Sequence, residues 1–409
     1  MEVYLVGGAV RDELLGYPVN EWDWVVVGAT PEDLLSNGYK QVGRDFPVFL
    51  HPETKDEYAL ARTERKTASG YKGFEVHAGK DVTLEQDLER RDLTINAIAK
   101  DADGRIIDYY GGVKDLENRL LRHVSPAFAE DPVRILRICR FMARYGSMGF
   151  SIASETIELM KQMVENGEVD ALVSERVWAE FYKALNEESP WLFIECMREC
   201  GALARVMPEI DKMFGVPQRE DYHPEVDSGI HALLVLKEAV RISDDPEVRF
   251  AALCHDLGKA VTPEDILPQH IGHEERGVDQ IKALCSRIHC PNSYRNLAVL
   301  ASQFHTKAHN AYELKASTVL KMFYSMDAFR KPDRFLQFLN VCEADVKGRK
   351  GKEDSLYPQK EYLRKMLDSA TNIDTSQLGK IDGGGEKIAE RRRELQLNAI
   401  KMVIASYKK

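Results

Sequence analysis

The residue types best suited to chemistry gather in the first 23 positions. Residues 1–6 predict a strand that Gly7-Gly8 interrupts, and residues 9–15 predict a helix stopped by Gly16 and Pro18. A second strand is expected over residues 22–27, with Glu21 and Asp23 at its start. Side chains alternate along a strand, so Glu21 and Asp23 share a face. Glycine lets backbone approach a phosphate closely, and the N–H groups that open a helix favour anions. Paired carboxylates suit magnesium held jointly with substrate phosphates.

Two further groups carry chemical promise. Arg134, Arg137, Arg140 and Arg144 recur at helical spacing and form one stripe, beside a core face of Ile135, Leu136, Ile138, Phe141 and Met142. Guanidiniums so close repel one another unless anions are near, which points to a triphosphate or RNA. Further on, residues 223–309 hold eight of the chain's eleven histidines. His231 opens one apolar helix, and His255-Asp256 ends another. Imidazole with carboxylate suits a borderline divalent ion such as nickel, manganese or zinc.

The elements that must position these residues follow in order. A helix capped by Thr30-Pro31 precedes a pair of strands over 46–51 and 57–62, where Glu57 offers a third carboxylate beside Glu21 and Asp23; Glu64 competes for that role. Residues 66–80 predict a loop, and residues 106–112 close the sheet. Helices are expected from 113, from 130 and throughout 151–208, then a linker at 217–224. A tail follows, ending in a helix rich in Lys and Arg after Gly383-Gly384-Gly385, whose basic residues suit an RNA backbone or a solvated face.

The run Leu5-Val6-Gly7-Gly8-Ala9-Val10-Arg11-Asp12, followed by Glu21-Trp22-Asp23, resembles the signature of polymerase-β-type nucleotidyltransferases. It is most similar to the class II branch of bacterial CCA-adding enzymes and poly(A) polymerases. One position departs: the family's first acid is Asp, and this chain has Glu21. The resemblance implies that Gly8 and Arg11 hold phosphates. Arg90-Arg91-Asp92-Leu93-Thr94-Ile95-Asn96-Ala97 resembles a second class II motif, which places Arg91 and Asp92 at the nucleotide's phosphates and ribose. Glu130-Asp131-Pro132-Val133-Arg134 resembles the nucleotide-selecting EDxxR motif, with Arg137 and Arg140 at the triphosphate or the base's surroundings.

Selection has a direct chemical rationale. Cytosine and adenine both present an amino donor beside a ring-nitrogen acceptor; uracil and guanine reverse that order. A carboxylate only accepts and a guanidinium only donates. Asp131 and Arg134, three apart on a helix, would therefore pair with C or A and reject U or G. A helix-start salt bridge between the two is the plainer alternative, and it is compatible with base reading.

His231 with His255-Asp256 resembles the HD-domain metal phosphohydrolases. The family's last aspartate is expected where this chain reads Phe304-His305-Thr306. Thr306 is a poor ligand, so weaker metal binding is expected unless His305, His273 or Asp345 substitutes; a purely structural HD domain is the alternative.

Taken along its length, the chain resembles the class II CCA-adding enzymes (tRNA nucleotidyltransferases) of the bacterial multifunctional type. That resemblance implies an α+β protein. A nucleotidyltransferase head of mixed sheet and helices spans 1–140, a helical neck 141–222, an HD domain 223–330 and a helical tail 331–409. It implies CCA addition to the 3′ end of tRNA from CTP and ATP without a template, catalysed with Mg2+ by Glu21 and Asp23. It also implies phosphatase, 2′-nucleotidase and 2′,3′-cyclic phosphodiesterase activity with Ni2+ or another transition metal. Two alternatives stand beside it: a poly(A) polymerase, and an RNA-binding HD phosphohydrolase whose head is silent because of Glu21.

Composition sets outer bounds. The 409 residues are 44% apolar and 30% charged, enough for two to four domains. No run of about 18 apolar residues exists to span a membrane, and the N-terminus has no signal-peptide pattern. Seven scattered cysteines, without paired CxxC sets, predict reduced thiols and a cytoplasmic setting. A monomer or homodimer is expected. A net charge of -10 argues mildly against nucleic acid, but phosphate contacts need only a local basic surface.

Overall fold

A computed structural model of the chain describes residues 1–19, 21–42, 48–66, 74–221, 224–374, 376 and 384–407. The chain divides into two compact units, Met1–Val206 and Met207–Lys409.

The first unit is built on a sheet. Its strands are β1 (Glu2–Val6), β2 (Asp23–Val27), β3 (Lys40–Val42), β4 (Val48–Leu50), β5 (Glu57–Leu60), β8 (Ala99–Lys100) and β9 (Ile106–Ile107), in the order β3-β4-β5-β2-β1-β8-β9. β2 runs antiparallel to β1 and parallel to β5, with Asp23 in register with Glu57. The alternation of the apolar residues builds both faces. Val25 packs with Val6, Leu84, Leu88 and Ala97 on one side, and Val26 packs with Leu34, Phe49 and Leu60 on the other. Asp23 lies two residues from Val25, so it belongs to the first of these faces.

Short helices α1 (Gly8–Leu14), α2 (Pro31–Ser36), α3 (Leu84–Glu89) and α4 (Gly112–Glu117) complete the sheet region. Thr30 and Thr83 each close a capping box, the first with Asp33 and the second with Gln86. β6 (Thr63–Lys66) pairs with β7 (Phe74–His77). This corrects the expectation of a loop over 66–80: Phe74 and Val76 alternate with Glu75 and His77, a strand period inside a stretch that looked aperiodic. Residues 67–73 of that stretch, and Phe46-Pro47 of the expected first strand of the pair, lie outside the described residues.

The long α5 (Val133–Tyr145) follows, and the small pair β10 (Leu120–Leu121) and β11 (Ser151–Ile152) flanks it. Beyond come α6 (Ser154–Glu165), α7 (Ser174–Leu185), α8 (Trp191–Glu199) and α9 (Ala202–Val206). Phe181, Leu185, Phe193 and Ile194 are buried as their spacing requires.

The second unit is helical among its described residues: α10 (Pro208–Asp211), α11 (Ser228–Ile242), α12 (Pro246–Cys254), α13 (His273–Arg287), α14 (Asn292–His309), α15 (Ala316–Ser325), α16 (Pro332–Lys347), α17 (Pro358–Thr371) and α18 (Gly384–Tyr407). No helix of the described residues is long and apolar enough to cross a membrane. All seven cysteines are free thiols.

Candidate functional site

The first unit holds a cavity of about 690 Å³. Gly7 forms the turn between β1 and α1 with φ +71°, a conformation that side chains disfavour. A Cβ there would come within 2.8 Å of Arg91 Nη1. Glycine thus keeps the floor low where the Arg91 guanidinium lies. Glu21, in the segment just before β2, and Asp23, its first residue, both line the cavity. Neither carboxylate has a hydrogen bond or ion pair to a described residue. Burial, reinforced by Glu21 and opposed by Arg91, pushes the Asp23 carboxyl above its usual range. Glu57 stands beside Asp23 on the same sheet face but does not line the cavity. The side chain of Glu64 is outside the described residues.

Nine arginines line the cavity, against four carboxylates. Internal acceptors hold most of them. α3 stops at Glu89, and the chain turns sharply through Arg90–Asn96. Buried Asp87 accepts from Arg90 at 2.7 Å and Arg91 at 3.1 Å. Burial favours a neutral Asp87, but these two guanidiniums outweigh it and hold the carboxyl low. Asp92 accepts from Asn96 Nδ2 at 2.9 Å and Arg137 Nε at 2.7 Å. Its burial is likewise outweighed, chiefly by Arg137, so it stays well below the usual carboxylate range. Arg11 donates to Asn96 Oδ1 at 2.5 Å and to Asp12 at 2.8 Å. Arg140 donates to Glu180 at 2.7 Å and lies 4.5 Å from the centre of the Phe141 ring. Arg144 reaches Asp12 at 3.3 Å.

The arrangement around Asp131 corrects one expectation. Asp131 precedes α5 with extended backbone and caps it by accepting from the Val133 N–H at 3.0 Å. Its carboxylate pairs with Arg176 on α7, at 2.8 and 3.2 Å, and not with Arg134. Arg134 instead donates to the carbonyls of Ala127 (3.1 Å) and Arg90 (2.6 Å). Both residues still line the cavity. Among the described residues, Gly8, Arg11, Glu21, Asp23, Arg91, Asp92, Asp131, Arg134, Arg137 and Arg140 line it as the sequence predicted, and Glu57 does not. Sequence reasoning missed Arg62, Arg90 and Arg176 on the wall and Glu180 behind Arg140. Nothing local marks Arg176 or Glu180, which arrive on a helix some 40 residues away.

In the second unit, two groups of ligand-type atoms converge: His231 with His255 and Asp345, and Asp256 with His273 and His305. These groups contain the three residues named as substitutes for the missing aspartate, Asp345, His273 and His305. The aspartate comes from α16: Asp345 Oδ1 is 3.2 Å from His231 Nε2 and 3.8 Å from His255 Nε2. Thr306 lines the same cavity as Asp345, His273 and His305, with its Oγ1 3.3 Å from His305 Nε2. Each ligand is oriented from behind. His255 Nδ1 donates to the Ala252 carbonyl at 2.7 Å, His231 Nδ1 is 2.8 Å from Glu225, and Asp345 Oδ2 accepts from His309 at 2.6 Å. Burial favours a neutral His255, but Asp256 and Asp345 raise it, so a cation at Nε2 competes with a proton there. Lys259 Nζ lies 2.6 Å from Asp256 Oδ2. Gly258 lets this turn press on α13, because a Cβ would overlap the His273 carbonyl. The buried imidazoles and carboxylates, with His255 Nε2 and Asp256 Oδ1 lacking hydrogen-bond partners, fit a divalent transition metal.

Comparison with known proteins finds three family matches along the chain. The Poly A polymerase head domain matches residues 3–122, the probable RNA and SrmB-binding site of polymerase A matches 149–214, and the HD domain matches 229–331. A multifunctional CCA protein of Thioalkalivibrio sulfidiphilus is 58% identical over 407 residues, covering 100% of both chains. Among solved structures, a CCA-adding enzyme in complex with ATP superposes with a TM-score of 0.67 at 20% identity, covering 100% of this chain and 90% of that one. The Thermotoga maritima CCA-adding enzyme complexed with tRNA gives 0.64 at 21%, covering 99% and 91%. At that identity the likeness concerns the fold: a mixed-sheet head followed by helices.

Proposed function

The chain belongs to the multifunctional CCA protein family, and from that premise we propose that it adds C, C and A to the 3′ end of tRNA from CTP and ATP without a template. The observation that carries this reading is the cavity in which Glu21 and Asp23 stand among nine arginines without an ion pair to a described residue. A triphosphate and an RNA end bring the anions that such a surplus attracts.

Glu21 and Asp23 would hold magnesium, with Glu57 as a third carboxylate. The metal, when bound, lowers the pKa of the attacking hydroxyl and stabilises charge on the phosphoryl group. The chain's residues do the rest. Gly7-Gly8 leaves room for phosphate, and Arg11 and Arg91, fixed by Asn96, Asp12 and Asp87, present donors to it. Arg137 and Arg140, held by Asp92 and Glu180, keep their remaining N–H groups facing the cavity. Asp131 and Arg134 read the Watson–Crick edge, and Arg176 sets the angle of the Asp131 carboxylate.

The HD cluster is the second activity: hydrolysis of phosphomonoesters and 2′,3′-cyclic phosphates with nickel or a similar ion on His231, His255, Asp256 and Asp345. The proposal extends to a cytoplasmic setting, as a monomer or homodimer.

The test is incorporation of labelled CTP and ATP into tRNA lacking its 3′ CCA. Both labels should enter. Failure of CTP to enter contradicts the proposal, and a long A tail from ATP alone favours a poly(A) polymerase.

A further inference from the structure

We propose that Gln218 and Arg349 form a phosphate-holding subsite in the cavity of the second unit. This rests on the hydrolase reading above, and it names the side chains that grip the substrate's phosphoryl oxygens. The cavity measures about 550 Å³, and Gln218, Lys259 and Arg349 all line it.

Gln218 carries most of the argument. It is only 3% exposed, yet its Nε2 has no hydrogen-bond partner among the described residues. Lys259 fixes which way the amide points, because its Nζ donates to Gln218 Oε1. An ammonium has no lone pair, so the amide oxygen must face it and the NH2 group must turn away. The backbone is held as well. The Gln218 N–H donates to the Val226 carbonyl, and the Pro217 carbonyl accepts from His270 Nε2 at 2.9 Å. A buried donor without an acceptor is costly, and this one is pinned from three directions. An acceptor brought by a ligand completes it.

Arg349 repeats the pattern. Its Nε is buried without a partner, and its Nη2 lies 3.6 Å from Asp345 Oδ1. Lys259 Nζ, 2.6 Å from Asp256 Oδ2, links Gln218 to the other acid. Each acid of the cluster is therefore attended by a donor that also lines the cavity. With Gln218 Oε1 already occupied, these three side chains offer only N–H groups. Such a set suits a ligand group that is anionic and only accepts, as a phosphoryl group does. A sugar hydroxyl brings a donor of its own and fits less well. Gln218 and Arg349 come from segments far apart in the chain, on the approach to α11 and just after α16, so no local pattern marks them.

The test is steady-state hydrolysis of a 2′-nucleotide by the full chain with Ni2+, using inorganic phosphate as a competitive inhibitor. Gln218→Glu keeps an oxygen for Lys259 but replaces the NH2 donor with a second oxygen. KM and the phosphate Ki should each rise about tenfold or more, with kcat changing less. Gln218→Leu, neutral and without a donor, should raise both by a smaller factor. Arg349→Lys keeps the charge but loses the Nε donor, and should also raise both. If Gln218 only holds Lys259 in place, Gln218→Glu retains the wild-type KM and Ki. A rise in Gln218→Glu with none in Gln218→Leu reports charge repulsion alone. Unchanged constants in any one of the three folded variants overturn the subsite and leave the hydrolase reading standing. If loss of helical circular dichroism shows that the Gln218 variants do not fold, Arg349→Lys decides by the same criterion. Absence of hydrolysis in the wild type overturns the hydrolase reading and the subsite with it.

Discussion

The cavity of the first unit and the cluster of the second are opposite solutions to one electrostatic problem. In the cavity, guanidiniums exceed carboxylates and are tethered from behind, Arg137 by Asp92, Arg140 by Glu180 and Arg91 by Asp87. What remains facing inward is positive, and it suits an anion. In the cluster, imidazole nitrogens and carboxylate oxygens converge while backbone carbonyls take the protons behind them. What remains facing inward is a set of lone pairs, and it suits cations. In both, the outer tier of residues decides which sign is left over. Glu21 and Asp23 matter because they break the pattern of the cavity, being acids on a basic wall with no ion pair among the described residues.

Removing that exception should have the largest effect. Asp23→Ala should lower CCA addition by a factor on the order of 1000, about 4 kcal/mol of barrier, measured as labelled CMP incorporation. Addition at near wild-type rate would remove the metal assignment.

Next in size is base choice. Asp131→Ala and Arg134→Ala should each cost about 1–3 kcal/mol of discrimination, by analogy with bidentate base readout. Competition among the four NTPs should show UTP and GTP gaining on CTP and ATP. Arg176→Ala should produce a weaker shift of the same kind, since it frees the Asp131 carboxylate without removing it. Unaltered selectivity in all three would locate base choice elsewhere.

A smaller effect is expected at the departing acid. Glu21→Asp keeps a carboxylate on the cavity wall, so addition should stay within about tenfold, roughly 1.4 kcal/mol. A larger loss would mean that this chain's geometry has been rebuilt around the longer side chain.

The smallest effect concerns the tethers and appears in stability. Asp92 is buried, yet Arg137 and Asn96 hold its carboxyl low. A depressed carboxylate stabilises the fold fully above the unfolded value, about pH 4, and loses that contribution as pH falls toward its folded value. Asp92→Asn should therefore melt below wild type at pH 7, and the gap in Tm should narrow below about pH 4. A gap independent of pH would mean that Asp92 acts by packing alone.

Much of the first site was legible because its parts are contiguous. Gly7 to Asp23 is one strand–turn–helix–strand unit, and Arg90–Asn96 one turn, so their patterns survive in a linear reading. The arginine stripe showed because α5 is a single helix. What could not be read was what crosses from other helices. Arg176 and Glu180 on α7 look like ordinary surface charges, and the alternative salt bridge from Asp131 to Arg134 gives way to one with Arg176 because the helix begins two residues after Asp131. The HD ligands show the same limit more sharply. His231 and His255-Asp256 carry a local pattern, but Asp345 lies 114 residues from His231. The resemblance points to the position of Thr306, with Asp345 only one of three substitutes, because nothing local to α16 singles Asp345 out. The strand over 74–77 was hidden by its length, since four residues give a period of two little room to show.

The central claim is that an anion-holding site and a cation-holding site work independently in one chain. The most direct measurement assays one preparation each of wild type, Asp23→Ala and His255→Ala for two reactions, CCA addition to truncated tRNA and Ni2+-dependent hydrolysis of a 2′,3′-cyclic nucleotide. The account predicts that Asp23→Ala loses addition and keeps hydrolysis, and that His255→Ala does the reverse. Loss of both reactions in either folded variant, or absence of hydrolysis in the wild type, would contradict it.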